Sequence, residues 1–197
     1  MTEPARDRVV ALVRHGRTFE NDVGVYAGRS NGGLTQVGRH QADVVAERLR
    51  ALGFAEGTPV MSSPQPRAKE TAMVLASHLG SQVIEELLLD ELDFGLWTGR
   101  TAAEISAEFP AEWNTWRTNP GGARPTGGES LVDLADRCAI AVGHMAIGTI
   151  AVSHETAIRA CLCSVTGASL SRYRAWSIKP GTGVLVNVAR GEILTTF

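Results

Sequence analysis

The sequence has few cysteines and almost no excess of charge, and each shortage excludes a class of protein. Its three cysteines, Cys138, Cys161 and Cys163, are odd in number and lie among apolar residues. This pattern argues against a disulfide framework and for a reducing compartment. Nineteen Lys and Arg against 21 Asp and Glu leave a formal net charge of −2. The chain therefore lacks the broad positive field that non-specific binding to nucleic acid or anionic membranes needs, and any basic site must be local.

Long apolar runs are also missing. The longest stretch without a charged side chain, 138–154, is interrupted by glycine and polar residues and is too short to span a bilayer. Residues 1–8 show no apolar segment behind a basic one, so no signal peptide is expected. No Cys or His pair stands beside Cys161 and Cys163 at ligand spacing, and we expect no metal site. We predict a cytoplasmic protein without nucleic-acid or membrane partners.

The composition is that of a globular protein, with 44% hydrophobic and 20% charged residues. At roughly 150 residues per domain, the length favours a single domain over 1–197. Strands are predicted at 8–13, 59–62, 83–84, 149–153, 183–189 and 192–197. Helices are predicted at 35–52, 66–79, 101–109, 111–117, 129–145 and 155–166.

This alternation of strands and helices predicts an α/β fold. A mostly parallel central sheet would be covered by helices on both faces, giving three layers in the order α/β/α. Two short helices and a loop rich in proline and glycine fall within about 94–128. We interpret that segment as an irregular helical insertion that shapes access for a substrate.

Basic and reactive side chains follow three of the predicted strands. Arg14 and His15 end the first strand, Arg67 lies just beyond the second, and His154 follows the strand at 149–153. Because ligands of an open α/β sheet bind beyond the carboxyl ends of its strands, these side chains are expected at one rim. Guanidinium groups match phosphate and carboxylate oxygens, so the set predicts an anion pocket, with phosphate as the favoured anion.

His15 occupies a tight strand-to-loop corner that suits a fixed nucleophile. A neutral imidazole nitrogen can attack phosphorus and form a covalent phosphohistidine, while arginines stabilise the developing charge. The scheme also needs a proton donor for the leaving alkoxide and a base for the incoming water. The acidic cluster of Asp90, Glu91 and Asp93 is the expected source.

Six segments in order carry a family resemblance: L-V-R-H-G-R-T (12–18), L-T-x-x-G-x-x-Q-A (34–42), S-S-P-Q-P-R-A-K-E-T-A (62–72), E-L-D-F-G-L-W-T-G (91–99), G-G-E-S (127–130) and V-S-H-E-T-A-I-R-A (152–160). Together they resemble the histidine phosphatase superfamily, in the branch that includes cofactor-dependent phosphoglycerate mutases. The resemblance covers nearly the whole chain and implies a phosphoglycerate mutase-like fold.

By this resemblance, His15 is the phosphorylated nucleophile and Glu91 the proton donor. Arg14, Arg67 and His154 would form the phosphate clamp, and the family uses no metal for this step. We expect no cofactor. Further positions expected to contact the phosphate or the substrate are Thr18, Asn21, Gly28, Glu155, Thr156, Trp116 and Arg117.

The sequence departs from the family pattern at Glu155, where the family usually has glycine. A carboxylate there must point away from a bound dianion or be offset by a nearby cation, and it could select substrates carrying a positive or hydroxyl-rich group. Asn31, Gly33 and Thr98 are smaller departures.

We therefore expect a metal-independent phosphatase that hydrolyses a small phosphomonoester, a sugar phosphate or a phosphorylated acid. One alternative is a mutase that returns the phosphoryl group to its substrate, although mutases of this resemblance usually have a longer insertion and a C-terminal tail over the site. The other is a non-catalytic phosphate-binding module. The expected partner is the phosphate ester itself, and the oligomeric state is left open, with a homodimer as one option.

Overall fold

A six-stranded sheet forms the centre of the computed structural model, which describes residues 8–197. Its strands are β1 (Val9–Arg14), β2 (Val60–Ser62), β3 (Val83–Glu85), β4 (Ile150–Ser153), β5 (Gly183–Asn187) and β6 (Glu192–Thr196). They are ordered β3-β2-β4-β1-β5-β6. The four strands from β3 to β1 are parallel to one another, whereas β5 is antiparallel to β1 and β6 is antiparallel to β5. The prediction of a mostly parallel sheet is confirmed.

Six of the seven α-helices within 8–197 fall close to the predicted positions, and α1 was not predicted. They are α1 (Phe19–Val23), α2 (Gln36–Ala51), α3 (Pro66–His78), α4 (Ala102–Glu108), α5 (Pro110–Thr118), α6 (Leu131–His144) and α7 (Glu155–Thr166). Short 3-10 turns lie at Leu87–Leu89, Gly95–Trp97, Pro120–Gly122 and Leu170–Ala175.

Alternate residues of β1 pack against helices on opposite faces of the sheet. Val10 and Leu12 belong to a buried cluster with α6 and α7. Ala11 and Val13 belong to a second cluster with α2 and α3. Since successive side chains of a strand point to opposite faces, helices cover both faces of the sheet. This confirms the three-layer α/β/α fold.

The segment after β1 differs from the prediction, which treated it as a loop. A short helix, α1, begins there because Thr18 caps it: its hydroxyl accepts from the amide of Asn21, whose side chain accepts in return from the amide of Thr18. The helix ends at Gly24, whose φ of 71° is left-handed. Because a five-residue helix gives almost no periodic pattern, this capping pair was its only signal in the sequence.

Aromatic side chains anchor the irregular segment to the sheet. Trp97 and Trp116 are buried in the same cluster as Val10 of β1, and their ring centroids lie 5.9 Å apart. Phe94 packs on Trp116 with a centroid separation of 6.0 Å. The 3-10 turn Gly95–Trp97 and α5 therefore pack into the hydrophobic core on one face of the sheet.

Within 8–197, no helix has the length and apolar character needed to cross a membrane. The sequence prediction about a signal peptide concerns residues 1–8, and residues 1–7 lie outside the part that the structure describes.

Candidate active site

The carboxyl ends of β2, β4 and β1 are neighbours, and they bring the distant motifs together. Arg14 at the end of β1 is in register with Ser153 at the end of β4. His15 and His154 follow these two residues, and their ring centroids lie 5.1 Å apart. The two histidines, separated by most of the chain, therefore face each other at one rim of the sheet, as the strand-end pattern predicts.

Backbone bonds fix His15 on both sides. Its amide donates to the carbonyl oxygen of Ser153 at 3.0 Å, and its carbonyl oxygen accepts from the amide of Gly181 at 3.0 Å. The ring Nδ1 lies 2.7 Å from the carbonyl oxygen of Gly16. A carbonyl oxygen can only accept, so Nδ1 carries the proton and the lone pair is on Nε2.

The imidazole of His15 is held in its neutral form. Burial lowers its pKa well below the ordinary 6.5, and the positive charges of Arg67 and Arg14 lower it further. A neutral ring with its proton fixed on Nδ1 presents a nucleophilic nitrogen.

Gly16 serves helix packing as well as the site. A Cβ built on it would lie 2.2 Å from the carbonyl oxygen of Gly38 in α2. Its amide donates to the hydroxyl of Thr71 in α3 at 3.1 Å. A side chain at Gly16 would push α2 away from the loop that carries His15.

Arg67, near the start of α3, is almost fully buried. Its Nη2 donates to the carbonyl oxygen of Gly28 at 2.6 Å and its Nη1 to that of Ser30 at 3.0 Å. Its Nε is buried without a partner in the described chain. Gly28 has a φ of 50°, a left-handed conformation that favours glycine, and an added Cβ would lie 2.8 Å from Thr98 Oγ1. The carbonyl of Gly28 thus orients the guanidinium of Arg67, and the backbone conformation that places this carbonyl favours glycine.

Arg14 is also buried and takes part in a row of three charges. Its Nη1 donates to the carbonyl oxygen of Ile178 at 2.6 Å and lies 2.5 Å from Glu155 Oε2. The other carboxylate oxygen of Glu155 lies 2.6 Å from Arg159 Nη2. The sequence analysis expected a nearby cation to offset the charge of Glu155. Arg14 and Arg159 are two such cations.

His154 is tied to a hydroxyl that the sequence analysis did not single out. Its Nε2 lies 2.9 Å from Ser63 Oγ, which donates to Asp90 Oδ1 at 2.6 Å. The Ser63 hydroxyl has one proton, and it donates that proton to Asp90. His154 Nε2 must therefore carry a proton and donate it to Ser63 Oγ. Its Nδ1 is buried without a partner among residues 8–197. Burial lowers the pKa of His154 well below 6.5, and Arg67 and His15 lower it further.

Glu91 reaches the amino end of α7. Its Oε1 accepts from the amides of Leu92 at 2.9 Å and Ala157 at 3.1 Å, and its Oε2 accepts from Thr156 at 3.3 Å. Burial raises its pKa above the ordinary 4.5, although the amides of Leu92 and Thr156 and the charge of Arg67 oppose the shift. A carboxyl group with a raised pKa that lines the same cavity as His15 is suited to hold and release a proton.

Many of these side chains line one cavity of about 420 Å³. Of the sequence-predicted residues, those that line it are Arg14, His15, Asn21, Gly28, Arg67, Glu91, Trp116, Glu155 and Thr156. The sequence analysis missed other lining residues, among them Glu20, Tyr26, Phe94, Arg159, Tyr173 and Arg174. Phe94 and Arg159 lie within the quoted motifs but at positions to which no role was assigned. The other four lie outside those motifs, so the sequence carried no signal for them.

Three predicted contacts do not line the cavity. His154 is fully buried, and its ring lies next to that of His15 without lining the cavity. Arg117 is exposed on α5 and does not line it. Adjacent residues of a helix point about 100° apart, and the inward position is taken by Trp116. Thr18 is buried but serves as the cap of α1 instead of lining the cavity. Within 8–197, no cluster of three or more His, Cys, Asp or Glu side chains could hold a metal ion.

Known proteins share this arrangement of sequence and fold. Phosphoserine phosphatase 1 of Hydrogenobacter thermophilus is 30% identical over 171 residues, which cover 84% of this chain and 79% of that protein. Glucosyl-3-phosphoglycerate phosphatase of Mycolicibacterium vanbaalenii is 36% identical over 132 residues, or 67% of this chain and 57% of that protein. A solved structure of mycobacterial glucosyl-3-phosphoglycerate phosphatase matches with a TM-score of 0.80 and 28% identity, covering 90% of this chain and 89% of that one.

The family model described as "Histidine phosphatase superfamily (branch 1)" matches residues 10–195, nearly all of the described chain. It spans every strand-end motif from the loop after β1 to the start of α7. The chain belongs to branch 1 of the histidine phosphatase superfamily.

Proposed function

We propose that this protein is a metal-independent phosphatase that hydrolyses small phosphomonoesters through a phosphohistidine on His15. The observation that carries the proposal is the contact of His15 Nδ1 with the Gly16 carbonyl at 2.7 Å, which leaves Nε2 unprotonated. The buried guanidinium groups of Arg14 and Arg67 beside that ring provide for the charge of a phosphate.

In the first step, the lone pair of His15 Nε2 attacks phosphorus. A P–N bond forms as the P–O bond to the alcohol breaks, and the leaving alkoxide takes the proton of Glu91. Arg14 and Arg67 stabilise the charge on the transferring group by hydrogen bonds that strengthen in the transition state.

In the second step, water attacks phosphorus from the side that the alcohol has left. The P–N bond breaks, the Glu91 carboxylate takes a proton from the water, and inorganic phosphate leaves. His154 contributes through its unpartnered Nδ1. A bound dianion offsets the burial that keeps this ring neutral, so Nδ1 takes up a proton from solvent and donates a hydrogen bond to a phosphate oxygen.

Hydrolysis is preferred to isomerisation because the relatives described above are named phosphatases. The cavity volume of about 420 Å³ suits a small ester such as a sugar phosphate or a phosphorylated acid. Activity is expected to survive treatment with EDTA, because the arginines perform the charge stabilisation that a metal ion performs in other phosphatases. Loss on chelation that is restored by a divalent ion would contradict metal independence.

The cytoplasmic location remains a prediction from composition. It agrees with the three cysteines of the chain, all of which are buried and free. A homodimer likewise remains one option for the oligomeric state.

The central test is capture of the intermediate. The enzyme is mixed with radiolabelled p-nitrophenyl phosphate and quenched in alkali, in which phosphohistidine survives. Wild type and His40→Ala should retain label, and His15→Ala should retain none and lose turnover. His40 is a matched control because it is exposed on α2 and does not line the catalytic cavity. Label that persists in His15→Ala would refute the nucleophile.

A panel of phosphorylated metabolites separates hydrolysis from isomerisation. Released inorganic phosphate as the main product supports the phosphatase. An isomerised ester as the main product would instead support the mutase, and binding without either product would support a phosphate-binding module.

A further inference from the structure

Four arginines line the catalytic cavity, and they differ in how their charge is compensated. They are Arg14, Arg67, Arg159 and Arg174. The first two lie beside His15 and serve the phosphate in the proposed function. Arg159 is paired with Glu155 at 2.6 Å. Arg174 has no carboxylate oxygen within 4.0 Å in the part of the chain that the structure describes. It is therefore the cation that the proposed phosphate chemistry leaves unused.

The guanidinium of Arg174 is nevertheless held in place. Its central carbon lies 4.5 Å from the ring centroid of Tyr173 and 5.6 Å from that of Trp116. Its Nη1 donates to the carbonyl oxygen of Trp116 at 3.2 Å. These contacts occupy one of its five N–H donors and restrict its rotation, so a ligand would lose little side-chain entropy on binding to the others.

The surroundings favour a single negative charge as its ligand. The carboxylates of Glu20 and Glu155 also line the cavity and would repel a second phosphate dianion. The planar fork of one guanidinium matches one carboxylate. Arg174 also lies over the rings of Trp116 and Tyr173, which disfavours stacking of an aromatic substrate on the same faces.

We infer that Arg174 is a specificity-determining residue that binds a carboxylate on the alcohol part of the substrate. The inference rests on the proposed phosphatase function and narrows its substrates to phosphorylated acids. The phosphate lies between Arg14 and Arg67, and the carboxylate of the leaving alcohol pairs with Arg174. Phosphate esters of uncharged alcohols of the same size cannot form that ion pair.

The test compares two esters of similar size, phosphoglycerate and glycerol phosphate, both esterified at a primary hydroxyl. They differ in having a carboxylate or a hydroxymethyl group at the far end. Wild type should show a kcat/KM about tenfold higher for phosphoglycerate, the effect of one partly exposed charge-assisted hydrogen bond. Arg174→Gln should lower this ratio about tenfold, mainly through KM for phosphoglycerate.

Two further variants make the result specific. Arg172→Gln removes an exposed arginine from the same 3-10 turn that does not line the cavity, and should keep the wild-type ratio. Arg174→Lys keeps the positive charge, and its preference for phosphoglycerate over glycerol phosphate should be stronger than that of Arg174→Gln. Thermal melts of all variants verify folding, and the ratio is read within each variant, so a partial loss of active protein cancels.

The outcomes separate this inference from the proposed function. Wild type that hydrolyses p-nitrophenyl phosphate without preferring phosphoglycerate, or an Arg174→Gln enzyme with the wild-type ratio, overturns the role of Arg174 and leaves the phosphatase intact. Wild type that releases phosphate from none of the three esters overturns the phosphatase proposal itself.

Discussion

His154 Nε2 lies 2.9 Å from the hydroxyl oxygen of Ser63, and that hydroxyl donates its own proton to Asp90 at 2.6 Å. The chain of two hydrogen bonds fixes which nitrogen of His154 is protonated and leaves Nδ1 unpartnered. Ser63 thus determines which nitrogen of His154 stays free for the proposed contact with phosphate.

Ser63→Ala should lower kcat by roughly tenfold, because the His154 ring loses the acceptor that orients it. The change should also shift the pH profile of kcat, since Asp90 no longer acts on the ring through the hydroxyl. Ser62→Ala is the matched control. Its hydroxyl is buried at the end of β2 and donates to the carbonyl oxygen of Ser63 at 2.7 Å, outside the His154 chain. An unchanged pH profile in Ser63→Ala would limit Ser63 to a structural role.

Glu91→Gln should impair alkyl phosphates by about a hundredfold and aryl phosphates much less. An alkoxide needs a proton to leave, whereas a nitrophenolate does not. Steady-state rates for glycerol phosphate and p-nitrophenyl phosphate measure the difference. Asp93→Asn serves as control, because Asp93 belongs to the same acidic cluster but does not line the cavity. Equal losses for both esters would show that Glu91 only positions the site.

Glu155→Gln should tighten binding of inorganic phosphate by roughly threefold to tenfold. The Glu155 carboxylate competes with phosphate for Arg14 and repels a dianion, and the amide does neither. The inhibition constant of phosphate against p-nitrophenyl phosphate measures the effect. Glu108→Gln removes a carboxylate from a surface pair with Arg100 and should leave it unchanged. Weaker phosphate binding in Glu155→Gln would mean that the row of charges holds Arg14 in place.

The buried histidines should make the protein less stable in mild acid. Burial lowers the pKa of His15 and of His154 well below 6.5, so below that pH the unfolded chain binds protons that the folded chain does not. The free energy of unfolding therefore falls as pH decreases from 6.5 towards the folded pKa values, by up to about 1.4 kcal/mol per pH unit for each ring. The raised pKa of Glu91 acts in the opposite direction above 4.5.

Urea unfolding at several pH values tests this effect. His154→Asn should reduce the dependence on pH between about 7 and 5, because the variant lacks one titrating ring. His144→Asn, at the exposed end of α6, should retain the wild-type dependence. A His154→Asn protein with the same slope would show that His154 does not contribute the shift.

The sequence predicted the strands and long helices because their apolar spacing and end signals agree. Pro66 begins α3 and Gly167 ends α7 with a left-handed φ of 68°. The short elements were missed where periodicity has too few residues to be visible, as in α1 and the 3-10 turn Leu170–Ala175. That turn carries Tyr173 and Arg174, which line the cavity. Because the turn was not predicted, neither residue was predicted at the site.

The strand-end motifs predicted that His15 and His154 lie close together, because parallel strands bring their carboxyl ends to one edge of the sheet. Arg117 was predicted at the cavity from its neighbourhood alone. The structure corrects it because the choice of inward residue on α5 depends on the rotation of the helix, which Trp116 sets by burying its ring.

By itself, the sequence determined the layered α/β architecture, the edge where the chemistry lies and the residue types gathered there. These follow from patterns local to single segments and from the geometry that all parallel sheets share. Only the tertiary structure decided the state of each charged group. The guanidinium of Arg14 is bonded to the carbonyl of Ile178, and Glu155 is shared between two arginines. Arg174 has no carboxylate partner among residues 8–197. Such pairings depend on side-chain distances of a few ångströms between segments far apart in the chain, which no local pattern encodes.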